Sequence, residues 1–231
     1  LGADAWELDP DNVIDLRKKL AVGGRTLKAY TGGKILRGVL TGLTEVFVID
    51  EERRARLVGE DPRSAEIIKP FVQGTHIRPW YTENVREHLL AIKSSANYRW
   101  PWSDSADNAE EVFRQTYPAI HAYLNEHRDR AIKRQDQGRY WWELRACAYW
   151  DAFDQPKVLW PDISKLPRFS LDRQGLYCGN TVYTIPLNDS YLLGVLSSWA
   201  TWFYISKTAQ PLRLRGDRWQ YRLFTQFMEE V

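Results

Sequence analysis

The stretch 139–172 constrains this chain most. Eight of its 34 residues are aromatic, against 13% for the whole sequence, so apolar volume is concentrated in one place. Tyr140, Trp141, Trp142, Tyr149, Trp150, Phe153, Trp160 and Phe169 are interleaved with Arg139, Glu143, Arg145, Asp151 and Asp154. A buried Trp or Tyr needs a partner for its N–H or O–H, and these charged neighbours are candidates. Such a run anchors a core; the other reading is an Arg-rich aromatic surface that stacks on a polyanion. Trp141 or Trp142, together with Trp160, is expected to be largely buried.

At 231 residues, with 44% apolar and 27% charged side chains, the chain can bury a substantial core without staples. A net charge of +2 names no polyanionic partner; the distribution of charge decides that. Cys147 and Cys178 make neither a disulfide framework nor a zinc site and read as reduced thiols of a cytoplasmic protein. The longest apolar run, 191–205, is interrupted by Ser197, Ser198 and Thr201 and reads as a buried helix, not a membrane span. No signal peptide opens the chain, and without an initiator Met it reads as a piece of a longer protein.

In chain order, a short helix is expected over 12–20. A strand pair follows, 35–40 and 45–50, joined through Thr41-Gly42. Ser64 caps a helix over 65–69 that Pro70 ends; 75–78 reads as a strand, 82–94 as helical and 97–107 as a loop. A helix over 117–134 carries Pro118 in its first turn. Tyr117, Ile120, Leu124, His127 and Ala131 form one face of it. Arg128, Arg130, Lys133 and Arg134 load its C-terminal end, where the helix dipole favours them. Strands are expected over 157–160, 168–172 and 181–185. Asp189 caps an apolar helix over 190–207, an irregular basic segment covers 210–215, and a last helix closes the chain. The fold class is α+β: a mixed sheet with packed helices, a central buried helix near 190–206, and a helical subdomain near 83–135.

Much chemistry is missing. No Gly-x-Gly cofactor loop and no P-loop occur, nor a Gly-x-Ser-x-Gly elbow. His76, His88, His121 and His127 form no His-Glu-x-x-His pattern. No Asp-x-Lys or Glu-x-Lys accompanies Asp162 as a metal-dependent nuclease would require. No catalytic residue and no metal ligand is assigned. What remains is a binding surface. Residues 207–222 hold five bases (Lys207, Arg213, Arg215, Arg218, Arg222) against one acid, Asp217. Bases also outnumber acids over 128–145. Two basic segments on a near-neutral chain suggest a localised electropositive face.

Seven segments in order carry a resemblance. They are 38–50 (Gly-Val-Leu-Thr-Gly-Leu-Thr-Glu-Val-Phe-Val-Ile-Asp), 68–77 (Ile-Lys-Pro-Phe-Val-Gln-Gly-Thr-His-Ile), 140–144 (Tyr-Trp-Trp-Glu-Leu), 156–163 (Pro-Lys-Val-Leu-Trp-Pro-Asp-Ile), 168–172 (Arg-Phe-Ser-Leu-Asp), 180–186 (Asn-Thr-Val-Tyr-Thr-Ile-Pro) and 191–198 (Tyr-Leu-Leu-Gly-Val-Leu-Ser-Ser). With them the chain resembles the target-recognition (specificity) domain of adenine-specific DNA methyltransferases in the TaqI-like and Eco57I-like restriction–modification families. The resemblance implies a sequence-specific module for double-stranded DNA over 1–231. It serves a protein that methylates adenine at N6 with S-adenosylmethionine, in restriction–modification or phage defence. The Asn/Asp-Pro-Pro-Tyr motif and cofactor glycines of that family are missing here. They belong to a methyltransferase domain expected upstream, so this fragment itself carries no cofactor.

The resemblance fixes no base-contacting residues. Physical chemistry favours Arg for guanine and Asn or Gln for adenine, placed in loops or at element ends. The candidates for DNA contact are Lys34, Thr75, Arg78, Arg134, Gln137, Arg139, Lys165, Arg168, Arg173, Lys207, Arg213, Arg215 and Arg218, most of them for phosphates. The alternatives are an aromatic-rich carbohydrate- or peptide-binding module, suggested by eleven Trp, or a purely structural domain that orients a neighbour.

Overall fold

The computed structural model describes residues 9–83, 86–105 and 107–231. Its strands are β1 (Leu36–Arg37), β2 (Val48–Asp50), β3 (Ile68–Val72), β4 (Glu87–Leu90), β5 (Lys157–Pro161), β6 (Ile163–Ser164), β7 (Ser170–Asp172), β8 (Tyr177–Cys178), β9 (Val182–Ile185), β10 (Pro211–Arg215) and β11 (Arg218–Arg222). They form three sheets, ordered β1-β9-β5-β7, β2-β4-β3-β8 and β10-β11-β6. The β3–β8 pair is parallel and the other ladders are antiparallel, so the expected α+β class with a mixed sheet holds, and two antiparallel sheets stand beside it.

Strand β5 explains the architecture. All five of its residues are buried. Successive side chains of a strand point to opposite faces, and here each face meets its own core. Leu159, with Val182 of β9, joins one apolar cluster; Val158 and Trp160, with Tyr183 and Ile185, join a second. The first cluster also takes β3, β4 and the helices Ala109–Thr116 and Pro118–Asn125. The second takes the helices Ser190–Leu196 and Trp199–Thr208. The aromatic stretch is core, as expected: Trp142, Trp150, Phe153, Trp160 and Phe169 are buried. Trp160 Nε1 donates to the Leu223 carbonyl at 2.9 Å, and Trp102 Nε1 to Glu143 at 2.9 Å.

Several expectations are corrected. Segments 35–40 and 45–50 do not pair with each other. β1 pairs with β9 and β2 with β4, while Thr44–Phe47 forms a helical turn. The crossing behind β1 is tight: a Cβ on Gly38 would lie 2.0 Å from the Gly179 carbonyl oxygen, so only glycine lets the two backbones meet there. Pro70 ends no helix; a short 3-10 turn, Pro62–Glu66, precedes it and Pro70 lies within β3. β8 reaches only Phe71 and Val72, so the residue lacking an N–H sits where that seam has not begun.

Segment 82–94, read as helical, contains β4, and residues 84 and 85 lie outside the described residues. The buried run Leu89, Leu90, Ala91 and Ile92 suits a strand covered on both faces. Segment 75–78 is no strand; a 3-10 turn, Gly74–His76, opens it. The helix over 117–134 breaks at Glu126 and His127 into Pro118–Asn125 and Arg128–Lys133. The helix over 190–207 is two helices: Asp189 caps the first, as expected, and Ser198 the second. Leu192, Leu193, Leu196, Trp202 and Ile205 are buried, but Tyr191, Val195 and Trp199 face solvent, so this segment is not buried all round. The basic segment 210–215 is no irregular loop but one arm of the β10–β11 hairpin.

One acid ties the helical region together. Glu110 accepts from Arg128 (Nη2, 2.9 Å), from His121 Nε2 at 3.2 Å and from Trp141 Nε1 at 3.3 Å. The Arg128 hydrogen bonds hold its carboxyl down to about 2, from 4.5. A depressed carboxylate stabilises the fold fully above its unfolded pKa and loses that contribution as pH falls through its folded one. Acid unfolding of Glu110→Gln is therefore expected to show a flatter stability profile between pH 4.5 and about 2 than the parent. Identical profiles would mean that the ion pair contributes nothing.

Candidate nucleic-acid interface

At Asp162 the chain passes from β5 to the hairpin sheet. Its N–H donates to the Thr181 carbonyl (2.9 Å) and its own carbonyl accepts from Leu223 N–H (2.8 Å). β6 then pairs with β11 through Ile163 opposite Arg222 and Ser164 opposite Tyr221. Three guanidiniums surround this corner. Arg37 donates to the Asn180 carbonyl (2.9 Å) and lies 5.9 Å over the Tyr183 ring. Arg168 donates to Ser164 Oγ (3.1 Å) and the Ile163 carbonyl (3.2 Å). Arg78 bonds the carbonyls of Thr75 and Ile77 and pairs with Glu83 at 2.8 Å.

Burial pushes the Asp162 carboxyl up, against the pull of Arg37 and Arg168. Burial lowers the Arg168 pKa, and the like charge of Arg78 lowers it further. Like charges held this close favour an incoming anion.

The hairpin adds a second set. Cross-strand pairs put Arg213 opposite Gln220 and Arg215 opposite Arg218, with Leu214 opposite Trp219 between them. Strand alternation therefore puts three arginines on one face and Leu214 and Trp219 on the other. Arg213, Arg215 and Arg218 are exposed. Arg213 Nε donates to Gln220 (3.0 Å), and Arg218 lies 3.9 Å from Asp217. Gly216, at φ 66°, makes the turn.

The structure sorts the sequence candidates. Arg78 and Arg168 meet at the Asp162 corner, with exposed Thr75 beside them, and Arg213, Arg215 and Arg218 line the hairpin. Lys165, exposed, borders a cleft with Trp202, Trp219 and Tyr221. Lys34 is exposed in its turn. Gln137 caps the Ile132 carbonyl, and Arg139 donates to the Ser103 carbonyl. Arg173 ties Asn188 to Ser190, and Lys207 pairs with Asp9 at 2.8 Å.

Arg134 is corrected outright. It is 5% exposed, lies 4.1 Å over the Phe47 ring, and donates to the carbonyls of Thr41, Asp136, Trp141 and Glu143. Burial lowers its pKa to about 10. It organises the interior and reaches no external ligand. Sequence reasoning misses Arg37, which lies in a segment read as a strand, and the exposed pair Trp80 and Tyr81.

Stacked ring pairs are core features. Trp100–Trp102, Phe113–Trp142, Tyr140–Trp142 and Trp160–Tyr183 each include a buried ring. In the cleft beside Lys165, buried Trp202 and half-buried Tyr221 meet edge-on at 84°, and Trp199 and Trp219 border it as exposed rings. Among the described residues no group of His, Cys, Asp or Glu could hold a metal ion. No helix among them is long and apolar enough to cross a membrane. A cavity of about 580 Å³ is lined by residues such as Leu20, Leu27, Tyr30, Leu192, Val195 and Tyr204.

An α+β domain with a guanidinium-rich hairpin sheet on its edge is the class these features define. The chain belongs to the TaqI-like C-terminal specificity domain family, whose model matches residues 70–216. Its fold is similar to part of the Type IIL restriction–modification enzyme MmeI, solved in complex with DNA. The TM-score is 0.56 at 17% identity, over 85% of this chain and 24% of that one. The chain thus spans about a quarter of that enzyme. No curated protein matches the sequence.

Proposed function

We propose that this chain reads double-stranded DNA for a restriction–modification enzyme that methylates adenine at N6. The observation that carries the reading is the arginine face of the β10–β11 hairpin, continued at the Asp162 corner by Arg37, Arg78 and Arg168, on a domain of the specificity family. Arginines positioned by a sheet but spent on few internal bonds suit phosphates and guanine edges. S-adenosylmethionine and the transfer step would belong to a methyltransferase domain elsewhere in the parent protein. The unpaired Cys147 and Cys178 agree with a cytoplasmic setting.

Duplex binding by the full chain, titrated against salt, tests this. Arg213→Ala and Arg215→Ala are each expected to weaken binding to all sequences alike and to lower the log–log salt slope by about 1. Neither should change the melting temperature, because both side chains are exposed. An arginine that reads a base would instead relax specificity at one position, by about 1–3 kcal/mol. If neither affinity nor slope moves, the hairpin does not face DNA.

A further inference from the structure

We infer that Trp80 is a base-stacking wedge, whose indole packs against an unstacked base of the bound duplex; the inference rests on the DNA reading above. Trp80 is the one described non-glycine residue with a positive φ, 75°, a conformation strained for a bulky side chain. Its surroundings enforce it. Trp80 N–H donates to the Phe169 carbonyl (2.8 Å), Arg78 N–H to the Tyr81 carbonyl (2.9 Å) and Glu83 N–H to the His76 carbonyl (2.9 Å). Ile77 also bridges Thr82, and Trp80 bridges Ser170.

The outcome of this clamp is a ring in solvent. Trp80 is 57% exposed, and among the described residues its indole has no aromatic neighbour and its Nε1 no hydrogen bond. Other large rings are as exposed, Trp199 and Tyr191 among them, but Trp80 is the described one that a positive φ holds outward. Two arginines belong to the same clamp: Arg78, two residues earlier, and Arg168, next to the Phe169 that holds the Trp80 backbone; their guanidiniums bond the Ile77 and Ile163 carbonyls. An exposed planar apolar face on a clamp that also carries two arginines suits a ligand that is itself planar, with a π-face, and polyanionic. A nucleobase on its phosphate backbone meets that description. In a duplex such a face becomes accessible where a base step has opened.

The test uses the full chain with a short matched duplex and the same duplex carrying one central mismatch, where unstacking costs less. The parent is expected to bind the mismatched duplex more tightly. Trp80→Ala should lose that preference and bind the mismatched duplex about tenfold more weakly, with an unchanged salt slope because no phosphate contact is removed. Trp80→Gly removes the ring and relieves the backbone; it should melt no lower than the parent and show the same loss, while Trp80→Phe keeps part of the preference.

If both ring deletions bind the two duplexes as the parent does while Arg213→Ala weakens binding, DNA reading stands and the wedge is wrong. A lowered salt slope in Trp80→Ala would make its role phosphate placement and equally overturn the wedge. A parent that binds no duplex at all removes the DNA reading itself.

Discussion

Asp172→Ala is expected to cost about 3–5 kcal/mol of stability, the range for breaking a buried ion pair on one side. Lys157 on β5 and Asp172 on β7 face each other across the ladder, and both side chains are fully buried. The Lys157 ammonium donates to Asp172 and to the carbonyls of Phe153 (2.6 Å) and Gln155 (3.2 Å). The Asp172 carboxylate also accepts from the N–H groups of Gln174 (2.7 Å) and Leu176 (2.9 Å). Alanine would strand a cation in the interior and orphan two backbone donors. Lys157→Met/Asp172→Asn should recover most of the loss, because no charge stays buried and the amide oxygen still accepts. Urea midpoints at constant m value measure both. An Asp172→Ala protein within about 0.5 kcal/mol of the parent, the scatter of ordinary surface substitutions, would show that water reaches the pair.

The second large effect is expected at Glu143, in the middle of the aromatic stretch. Its buried carboxylate accepts from Trp102 Nε1 (2.9 Å) and from the N–H groups of Ser95 (3.0 Å), Arg139 (2.9 Å) and Tyr140 (3.2 Å). Four donors from three segments converge on one side chain. Glu143→Ala leaves three of them unsatisfied, since the Arg139 N–H also donates to Ser94 Oγ (3.2 Å), and should cost about 3 kcal/mol or more at about 1–3 kcal/mol for each group that water cannot reach. Glu143→Gln keeps the shape but turns an NH2 toward donors, so it should still lose about 1–3 kcal/mol. Equal stability of Glu143→Gln and the parent would mean that the carboxylate's acceptor capacity is dispensable. The same substitutions should loosen residues 94–103, which hydrogen exchange reads directly.

Glu143 shows what the sequence made legible. Tryptophans crowded among charged residues implied a core whose indoles needed partners, and Glu143 is one of those partners. Trp142, flanked by the same residues, has no partner for its own Nε1. Capping by Asp189 was also readable, because the signal and its effect lie three residues apart. Pairings were not. Thr41-Gly42 looked like a hairpin turn, yet Leu36 pairs with Thr184 and Val48 with Leu89; local turn chemistry cannot announce a partner that distant. The run 89–92 carries no alternation because both of its faces are covered, so periodicity could not tell strand from helix.

In the candidate interface, the basic character of 207–222 was legible and its hairpin was not, although Gly216-Asp217 is a recognised two-residue turn. Arg134 misled because an arginine in a basic cluster was taken for a surface group. Only the tertiary structure gathers the four carbonyls that hold it inside.

The β10–β11 hairpin joins the rest of the protein through two residue pairs, Tyr221–Ser164 and Arg222–Ile163. Tyr221 packs against the second apolar cluster, and Arg218 and Trp219 border a cleft with Trp202. Positions 212–220 are exposed or half-buried, outside the interior that the Lys157–Asp172 pair and Glu143 hold together. Substitutions along that ribbon, or a longer ribbon, should therefore leave the melting temperature of the scaffold nearly unchanged.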